Sequence, residues 1–496
     1  MRRPRELSAG GRRAWGCVLS ATLVLACSCS GGMSEVRLDC ESVLQPRLAS
    51  MLQSAPLPRG YRVSTDPLAR FVVSLAALPG TIGPPSPSAA MDAGPIWLAA
   101  PLSLADPRFD ISPAEAAKSG IEPLEDIQPP LRAARIDGLW PGQANYAFEY
   151  RLALSIRAAR GRVPRRLSTW LTGCAANSRS QEERPRILSA TGDLETGAGG
   201  SANLLAGEPG LRRLISPELL AALRGSDILA GNLEGQITAR GTPDPTKRYR
   251  FRFPPGSGAG YRSMGFDILL LANNHSMDFG PQGLLDTFSD LSSAGIPYVG
   301  AGATAREAEL PKAAAGPEAK GILFVGLGTF PTEALGFSAA AAAAGASTPG
   351  ISVDLDRCVA AIRAAAQSGA FVVALVHGGV EFSSRPDRAT RNRFRALADA
   401  GASLVIGSHP HVVQGVEARG TSLIAYSLGN FLFTDRVMPP EAQSSALMSF
   451  LLYRGRVRGL DILPVLVSPA GTSLDPNARA AKLGFAALCA ALGTSP

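Results

Sequence analysis

The amino-acid sequence predicts an α/β fold, and two features of residues 186–470 predict it. Short apolar runs typical of strands recur along this part of the chain, and segments with helical periodicity, such as 356–368 and 389–400, separate several of them. Alternation of strands and helices is typical of α/β proteins with a buried sheet. The predicted strands are 186–190, 228–230, 266–271, 322–327, 371–376, 403–406 and 422–426.

Composition supports a folded chain of several domains. The chain has 496 residues, of which 46% are hydrophobic and 18% charged, so a core can form and wholesale disorder is excluded. At roughly 150 residues per domain the length allows two or three domains. Beyond residue 30 no uninterrupted apolar run reaches about 18 residues, which excludes a protein with several membrane spans.

The positive charge of the chain does not indicate nucleic-acid binding. The formal net charge is +8, but residues 1–26 alone carry five arginines and one glutamate. No block of five or more like charges follows them. We therefore expect no nucleic-acid partner.

The N-terminus predicts export and lipid anchoring. Arg12 and Arg13 precede an apolar stretch of the length of a signal-peptide core, and this stretch ends in Val24-Leu25-Ala26-Cys27. That ending resembles a bacterial lipobox, which predicts a lipoprotein signal peptide over 1–26, lipidation of Cys27 and a tether over 27–34. The expected location is the extracytoplasmic side of the cell envelope, with the protein anchored in the membrane. An ordinary cleaved signal peptide is the alternative.

The rest of the chain divides near residue 180. Residues 172–185 are polar and small and are predicted to form a linker. Residues 35–171 are predicted to form a smaller α/β domain, and 471–496 a C-terminal extension. The segment from Asp137 to Phe148 resembles part of the phosphate-type periplasmic solute-binding proteins, which suggests a solute-binding lobe. Outside the signal peptide and the tether, four cysteines allow three disulfide pairings, and pairing within segments (Cys40 with Cys174, Cys358 with Cys489) is the expected one.

Polar side chains follow the predicted strands of the larger domain. In a sheet of mostly parallel strands the carboxyl ends share one edge, so these clusters are expected to converge on a single site. The residues concerned are Asp193, Asn232, Glu234, Asn273, Asn274, His275, Asp278, His377, Glu381, His409, His411 and Asn430.

All four histidines of the chain belong to these clusters, which predicts a metal site. If the segment around His409-Pro410-His411 is extended, alternate side chains lie on one face and both rings can reach one ion. Together with carboxylates and an amide they form a mixed nitrogen and oxygen set, which suits a divalent ion such as Mn, Zn or Fe. One or two such ions are expected.

Five motifs in this region resemble the CapA family, the bacterial capsule and poly-γ-glutamate synthesis proteins with a calcineurin-like metallophosphatase fold. They occur in the order found in the family, over about residues 186–470. The motifs are GNLEG (231–235), LANNHSMDFG (271–280), HGGVEF (377–382), GSHPHVVQGVE (407–417) and YSLGNF (426–431). The resemblance implies a four-layer αββα sandwich with a dinuclear metal site.

The resemblance also implies roles for individual residues. The implied metal ligands are Asp193, Glu234, Asn274, His377, His409 and His411. His275 is assigned as a general acid, with Asp278 orienting its ring, and the residues assigned to substrate binding are Asn232, Asn273, Glu381 and Asn430. Position 195 is Glu, so the chain lacks the histidine of an Asp-x-His metal motif.

Two functions follow from this reading. The first is a metal-dependent hydrolase that cleaves phosphoester or amide bonds in an anionic polymer or ester during capsule or poly-γ-glutamate metabolism. The second is a non-catalytic, metal-binding component of a polymer synthesis or export complex. An intact set of ligands favours the first.

The lipid anchor yields a direct test. Cys27→Ala removes the thiol that receives the lipid, so the variant should be released from membranes into the soluble fraction. Membrane fractionation and metabolic labelling with a fatty acid measure the outcome, and Cys29→Ala is the matched control. Normal membrane attachment of the Cys27→Ala variant would contradict the prediction.

Overall fold

The computed structural model describes the chain in pieces before residue 183 and almost continuously after it. The described residues are 34–40, 57–59, 61–63, 71–79, 91–99, 101–104, 106, 108–119, 122–129, 131–136, 139–141, 143, 146, 149–158, 163–180, 183–196, 205, 207–434 and 437–492. The predicted signal peptide, Cys27 and the tether as far as residue 33 lie outside them. Among the helices in the described ranges, none is both long and apolar enough to cross a membrane.

Strands and helices alternate along the described chain. The strands are β1 Ser34–Cys40, β2 Tyr61–Val63, β3 Phe71–Pro79, β4 Met91–Ala99, β5 Pro101–Ser103, β6 Asp110–Ile111, β7 Glu122–Pro123, β8 Leu131–Ala133, β9 Arg135–Ile136, β10 Glu149–Ala158, β11 Arg186–Glu195, β12 Ile228–Leu233, β13 Gln236–Ile237, β14 Arg252–Phe253, β15 Ile268–Leu270, β16 Tyr298–Val299, β17 Ala301–Gly302, β18 Ile322–Thr329, β19 Gly350–Ile351, β20 Phe371–Gly378, β21 Leu404–Ser408, β22 Val416–Arg419, β23 Ser422–Ala425, β24 Asn430–Phe433, β25 Ser444–Tyr453, β26 Arg456–Ser468 and β27 Gly471–Leu474. The helices are α1 Pro113–Ser119, α2 Arg165–Ser180, α3 Glu208–Leu214, α4 Pro217–Arg224, α5 Ser257–Met264, α6 Gly280–Ser293, α7 Ala305–Ala308, α8 Ala339–Ala342, α9 Leu355–Gln367, α10 Arg388–Asp399, α11 Pro440–Gln443 and α12 Ala478–Ala491.

The residues fall into two compact units. The first lies within 1–98 and 144–183, and the second within 99–143 and 184–496. In the first unit β1 pairs in parallel with β2 and with β3, while β10 lies antiparallel between β3 and β4. This mixed sheet, followed along the chain by α2, is what the structure describes of the first unit.

The division differs from the predicted domain boundaries. Residues 99–143, predicted to be N-terminal, belong to the second unit because β8 pairs with β26 and Arg458 Nη1 donates to the Ile127 carbonyl at 2.8 Å. The stretch likened to solute-binding proteins therefore contributes Trp140 to this unit. Most of the predicted linker 172–185 is the end of α2. The predicted extension 471–496 supplies β27, which pairs with β26, and α12.

The larger sheet of the second unit carries most of the polar clusters. Its strand order is β16-β15-β12-β11-β25-β26-β8-β5, and β24 also pairs with β11. Strands β11, β12, β15, β16 and β24 are parallel, whereas β25 is antiparallel to β11. The predicted strands 186–190, 228–230 and 266–271 are confirmed, and the first extends far enough to include Asp193.

The second sheet has the order β18-β20-β21-β23-β22. Its first four strands are parallel, so their carboxyl ends lie along one edge, as the alternation of strands and helices predicted. The predicted strands 322–327, 371–376, 403–406 and 422–426 are all present. Strand β20 is longer than predicted and contains His377.

The helices beside the second sheet follow from capping and periodicity. Asp354 and Asp387 accept hydrogen bonds from the backbone three residues on, which fixes the first turns of α9 and α10. Buried positions spaced by three or four residues then form one apolar face on each helix. These faces pack with the side chains of β20, β21 and β23 that point away from the first sheet.

One hydrophobic core touches both sheets. It includes Leu188 and Leu229 of the larger sheet together with Leu375 and Ile406 of the second sheet. The structure therefore confirms an α/β fold in which two sheets share a core.

The expected disulfides are not formed among the cysteines whose side chains are described. Cys174, Cys358 and Cys489 are buried thiols. Burial raises the pKa of Cys358 to about 12, and Cys489 Sγ accepts the Val416 N–H at 3.3 Å. The predicted pairing of Cys358 with Cys489 is wrong because Cys358 lies on the buried face of α9, whereas Cys489 packs on the start of β22.

The attachment of 99–143 to the second unit can be tested at a glycine. A Cβ at Gly459 would lie 2.6 Å from Trp140 Cζ3, so Gly459→Ala should displace the indole and lower the melting temperature. Overpacking of this kind typically costs about 1–3 kcal/mol. Gly484→Ala, where the new Cβ meets no described atom within 4 Å, is the control in a thermal melt. Equal melting temperatures would contradict the packing.

Candidate metal centre

The ends of the two sheets bring the polar residues together. Asp193 lies near the end of β11, after an irregularity in the pairing of that strand. Asn232 lies on the neighbouring β12, and Asn274 follows β15. From the second sheet, His377 lies near the end of β20 and His409 just after β21. These side chains are buried. Two sheet edges thus supply one site.

A close approach of backbones sets the position of Asp193. A Cβ at Gly192 would lie 1.8 Å from the Gly429 carbonyl oxygen, so only glycine fits there. The same carbonyl accepts the Asp193 N–H at 3.0 Å, and Asp193 pairs with Asn430 of β24. This contact places the Asp193 carboxylate beside the loop that carries His411.

Asp193, Glu234 and His411 can contribute one ligand atom each to a common ion. These three atoms all lie within 4.8 Å of one another. The side chains of Asp193 and Glu234 are fully buried, and no hydrogen-bond donor of the described residues serves either oxygen of Glu234. A desolvated carboxylate without donors is costly unless a cation neutralises it. The residues therefore fit a divalent metal ion.

Asn274, His377 and His409 form a second group beside the first. His377 Nε2 lies 2.8 Å from Asn274 Oδ1 and 3.1 Å from His409 Nδ1. It also lies 3.8 Å from Glu234 Oε1, so this carboxylate adjoins both groups. His409 Nε2 is buried and meets no hydrogen-bond partner within the described part of the chain.

The electrostatics of the two groups differ. Burial, followed by repulsion from Asp193, holds the pKa of Glu234 well above its usual range. Burial acts to lower the pKa of His411, but the carboxylates of Glu234 and Asp193 outweigh it and raise this pKa to about 10. Burial and the neighbouring imidazoles lower the pKa of His377 and His409 well below that of a free imidazole. The neutral imidazoles of His377 and His409 are nitrogen ligands of the kind that bind Zn or Fe.

The segment with His409 and His411 is not extended, which corrects the sequence expectation. Both residues have positive φ, 96° and 59°, a region that non-glycine residues seldom occupy. Asp193 Oδ2 accepts the backbone N–H of His409 at 3.2 Å, and the two ring centroids are 6.2 Å apart. As a result the two rings serve different groups: His411 faces Asp193, and His409 contacts His377.

His275 and Asp278 form a pair at the margin of the site. His275 Nδ1 lies 2.7 Å from Asp278 Oδ2, and Nε2 lies 3.9 Å from Glu234 Oε1. The ring packs against Phe251, with centroids 4.1 Å apart. Burial lowers the pKa of His275, which Asp278 partly opposes. Asp278 thus contacts the ring at Nδ1, and Nε2 faces the Glu234 carboxylate.

Three of the four residues predicted to bind substrate form hydrogen bonds with other protein side chains instead. Asn232 donates to Asp193 Oδ1 at 2.8 Å and accepts from Asn273, while Asn430 Oδ1 is 2.8 Å from His411 Nδ1. Their amides are used to hold neighbouring protein groups. Glu381 is exposed on the loop after β20, and its charge still raises the pKa of Glu234.

Lys247 and Glu333 are part of the site and were not found from the sequence. Lys247 Nζ lies 3.1 Å from Asp278 Oδ1 and 2.8 Å from Glu333 Oε1, and its side chain is fully buried. Neither residue belongs to a motif, and Lys247 follows no predicted strand. Glu333 lies on the loop after the predicted strand 322–327, where no residue was singled out. The scarcity of lysine, five against 44 arginines, was the only signal that pointed to Lys247.

Comparison with known proteins identifies the region that carries the site. Residues 187–435, half of the chain, match the family model described as "Bacterial capsule synthesis protein PGA_cap". The chain is 30% identical over 249 residues to the PGA biosynthesis protein CapA of Bacillus subtilis, covering 50% of this chain and 63% of that protein. It is 28% identical to the capsule biosynthesis protein CapA of Bacillus anthracis, covering 51% and 63%.

The matched region in each case spans less than two thirds of the relative. The region matched by the family model contains Asp193, Glu234, Asn274, His377 and both histidines of the 409–411 segment. With half of its length matched by the family model, this chain belongs to the bacterial capsule synthesis PGA_cap family.

Proposed function

We propose that this chain is a metal-dependent hydrolase of the cell envelope that acts in capsule or poly-γ-glutamate metabolism. The observation that carries the proposal is the buried Glu234 carboxylate, whose two oxygens meet no donor from the described residues although Asp193 lies beside it. The names of the CapA relatives supply the biological context. The substrate class is an anionic polymer or phosphoester, and a capsule-synthesis complex is the expected setting.

We also propose that the second unit is a four-layer αββα sandwich. One core lies between the two sheets and includes buried residues of α4 and α6. A second core lies between the second sheet and helices α9 and α10. In this arrangement the carboxyl ends of the parallel strands of both sheets open on the same site. Membrane anchoring through Cys27 would hold that site outside the cytoplasm, where surface polymers are handled.

Each group of ligands has a place in this proposal. Asp193, Glu234 and His411 would hold one ion, and Asn274, His377 and His409 a second, with Glu234 between them. When bound, a divalent cation supplies a Lewis acid that lowers the pKa of a water and polarises a substrate oxygen. Asn232, Asn273 and Asn430 keep Asp193 and His411 in position, since their amides bond to protein groups.

His275 is assigned the transfer of a proton to the leaving group. Its Nε2 faces the carboxylates, and Asp278 stabilises the protonated ring through Nδ1. The ring packs against Phe251 and is 6% exposed, so bulk water has little access to it. A positioned acid of this kind acts in the transition state and need not hold the ion.

A non-catalytic metal-binding role is the second candidate. The observation in its favour is that Asn232, Asn273 and Asn430 are consumed by contacts within the protein, so three of four predicted substrate-binding residues have another use. A component of a polymer synthesis or export complex would need the ion for structure alone.

Replacement of Glu234 tests the metal site. Loss of a residue that only supports a metal ligand typically lowers metal affinity about 10–100-fold. Glu234→Gln removes a proposed direct ligand, so its metal affinity should fall by at least as much. In chelator the variant should melt at or above the wild type, because the repulsion between the buried carboxyl groups of Glu234 and Asp193 is gone. Metal content by elemental analysis and a thermal melt measure both effects. Glu381→Gln, an exposed carboxylate near the same site, is the control, and equal metal content in Glu234→Gln and wild type would contradict the site.

His275 separates catalysis from metal binding. His275→Ala should reduce turnover by about 10²–10⁴-fold while metal content stays at the wild-type level. A panel of phosphoesters and γ-glutamyl polymers, each assayed with the metal-loaded protein, measures turnover. Asp278→Asn should give a smaller loss, since the ring remains but its orientation relaxes. A wild-type protein that binds metal and hydrolyses none of the panel would favour the non-catalytic role.

A further inference from the structure

Lys247 is a buried ammonium group with three acceptors. Its side chain is fully buried, and Nζ contacts Asp278 Oδ1 at 3.1 Å, Glu333 Oε1 at 2.8 Å and the Asn274 carbonyl oxygen. A lysine has three N–H donors, so each donor has one acceptor. Nζ also lies 4.3 Å from the centre of the Phe337 ring. Desolvation of an ammonium group is costly, so its burial depends on this complete set of contacts.

The contacts join two loops that the chain keeps far apart. Asn274 and Asp278 lie on the loop after β15, whereas Glu333 and Phe337 lie on the loop after β18. Phe330, which begins the second loop, packs 6.3 Å from the ring of His377, centroid to centroid. Lys247 therefore links the loop after β15, which carries the predicted ligand Asn274, to the loop after β18, which packs against His377.

Glu333 determines which end of the Asn274 amide faces the site. Glu333 Oε1 accepts a hydrogen bond from Asn274 Nδ2 at 3.0 Å. The other end of the amide, Oδ1, then lies 2.8 Å from His377 Nε2. The flipped amide would present N–H donors to a cation and place an oxygen against the Glu333 carboxylate, and both contacts are repulsive.

We propose that Lys247 and Glu333 are a pair of positioning residues, which orient the Asn274 amide oxygen and the Asp278 carboxylate for metal binding and for His275. This inference rests on the proposed function, because Asn274 is a ligand only if the site holds an ion. Lys247 neutralises the two carboxylates that do the orienting, and Glu333 selects the amide orientation. The pair acts through Asn274 and Asp278 and itself touches no substrate.

The test compares two variants of Glu333 in the full-length protein. Glu333→Leu removes the acceptor and should weaken Mn²⁺ or Zn²⁺ binding by about 10–100-fold in calorimetric titration. Glu333→Gln keeps an acceptor oxygen and should restore most of the affinity. Lys312→Met is the control, since Lys312 lies over Tyr298, away from the site. Lys247→Met should weaken binding as Glu333→Leu does, and thermal melts establish that each variant is folded.

A second readout does not need a bound ion. The side-chain amide protons of Asn274 should exchange slowly with water in the wild type and faster in Glu333→Leu, as measured by NMR. Wild-type affinity and unchanged exchange in Glu333→Leu would overturn the positioning role, as would an equal loss of affinity in the Leu and Gln variants. A wild-type protein that binds no ion, with exchange that still depends on Glu333, would contradict the proposed function and leave the positioning role standing.

Discussion

The structure depends on two carboxylates that lie side by side away from water. Asp193 and Glu234 are fully buried, and among the described groups no donor reaches the Glu234 oxygens. Such a pair is stable only when a positive charge compensates it. Without an ion, a proton on His411 is the nearest compensation, which is why the carboxylates raise the pKa of that ring to about 10. A divalent ion replaces that proton and also satisfies the orphaned oxygens.

The backbone around the two carboxylates includes residues in energetically unfavourable conformations. Two histidines with positive φ lie in the same short segment, and Gly192 lies against the carbonyl group of Gly429 in the loop before β24. Residues held in sparsely populated conformations persist when the surrounding structure determines them and concentrate at functional sites. Here both sheets determine them, because the Asp193 carboxylate of the larger sheet accepts the backbone N–H of His409 from the second. The site therefore depends on the sheets packing together.

Local patterns predicted the strands and the residues that gather at their ends, because both follow from periodicity and from the shared edge of parallel strands. They did not predict the backbone conformations and side-chain contacts that arise between residues distant in sequence. The 409–411 segment was expected to be extended, but its N–H bonds to a carboxylate more than 200 residues away. Residues 99–143 were predicted to belong to the N-terminal domain. The pairing of β8 with β26 and the packing of Trp140 against Gly459 instead attach them to the second unit. Lys247 was missed because its three acceptors come from two loops that are distant from it in sequence.

Anomalous X-ray diffraction from crystals of the protein tests the central claim most directly. Data collected on both sides of the Mn, Fe and Zn absorption edges locate and identify any bound ion. The account predicts an anomalous peak at about 2.0–2.2 Å from an oxygen of Asp193, an oxygen of Glu234 and a nitrogen of His411. A peak elsewhere, or Glu234 hydrogen-bonded to an ordered water with no peak beside it in crystals soaked with these ions, would contradict it.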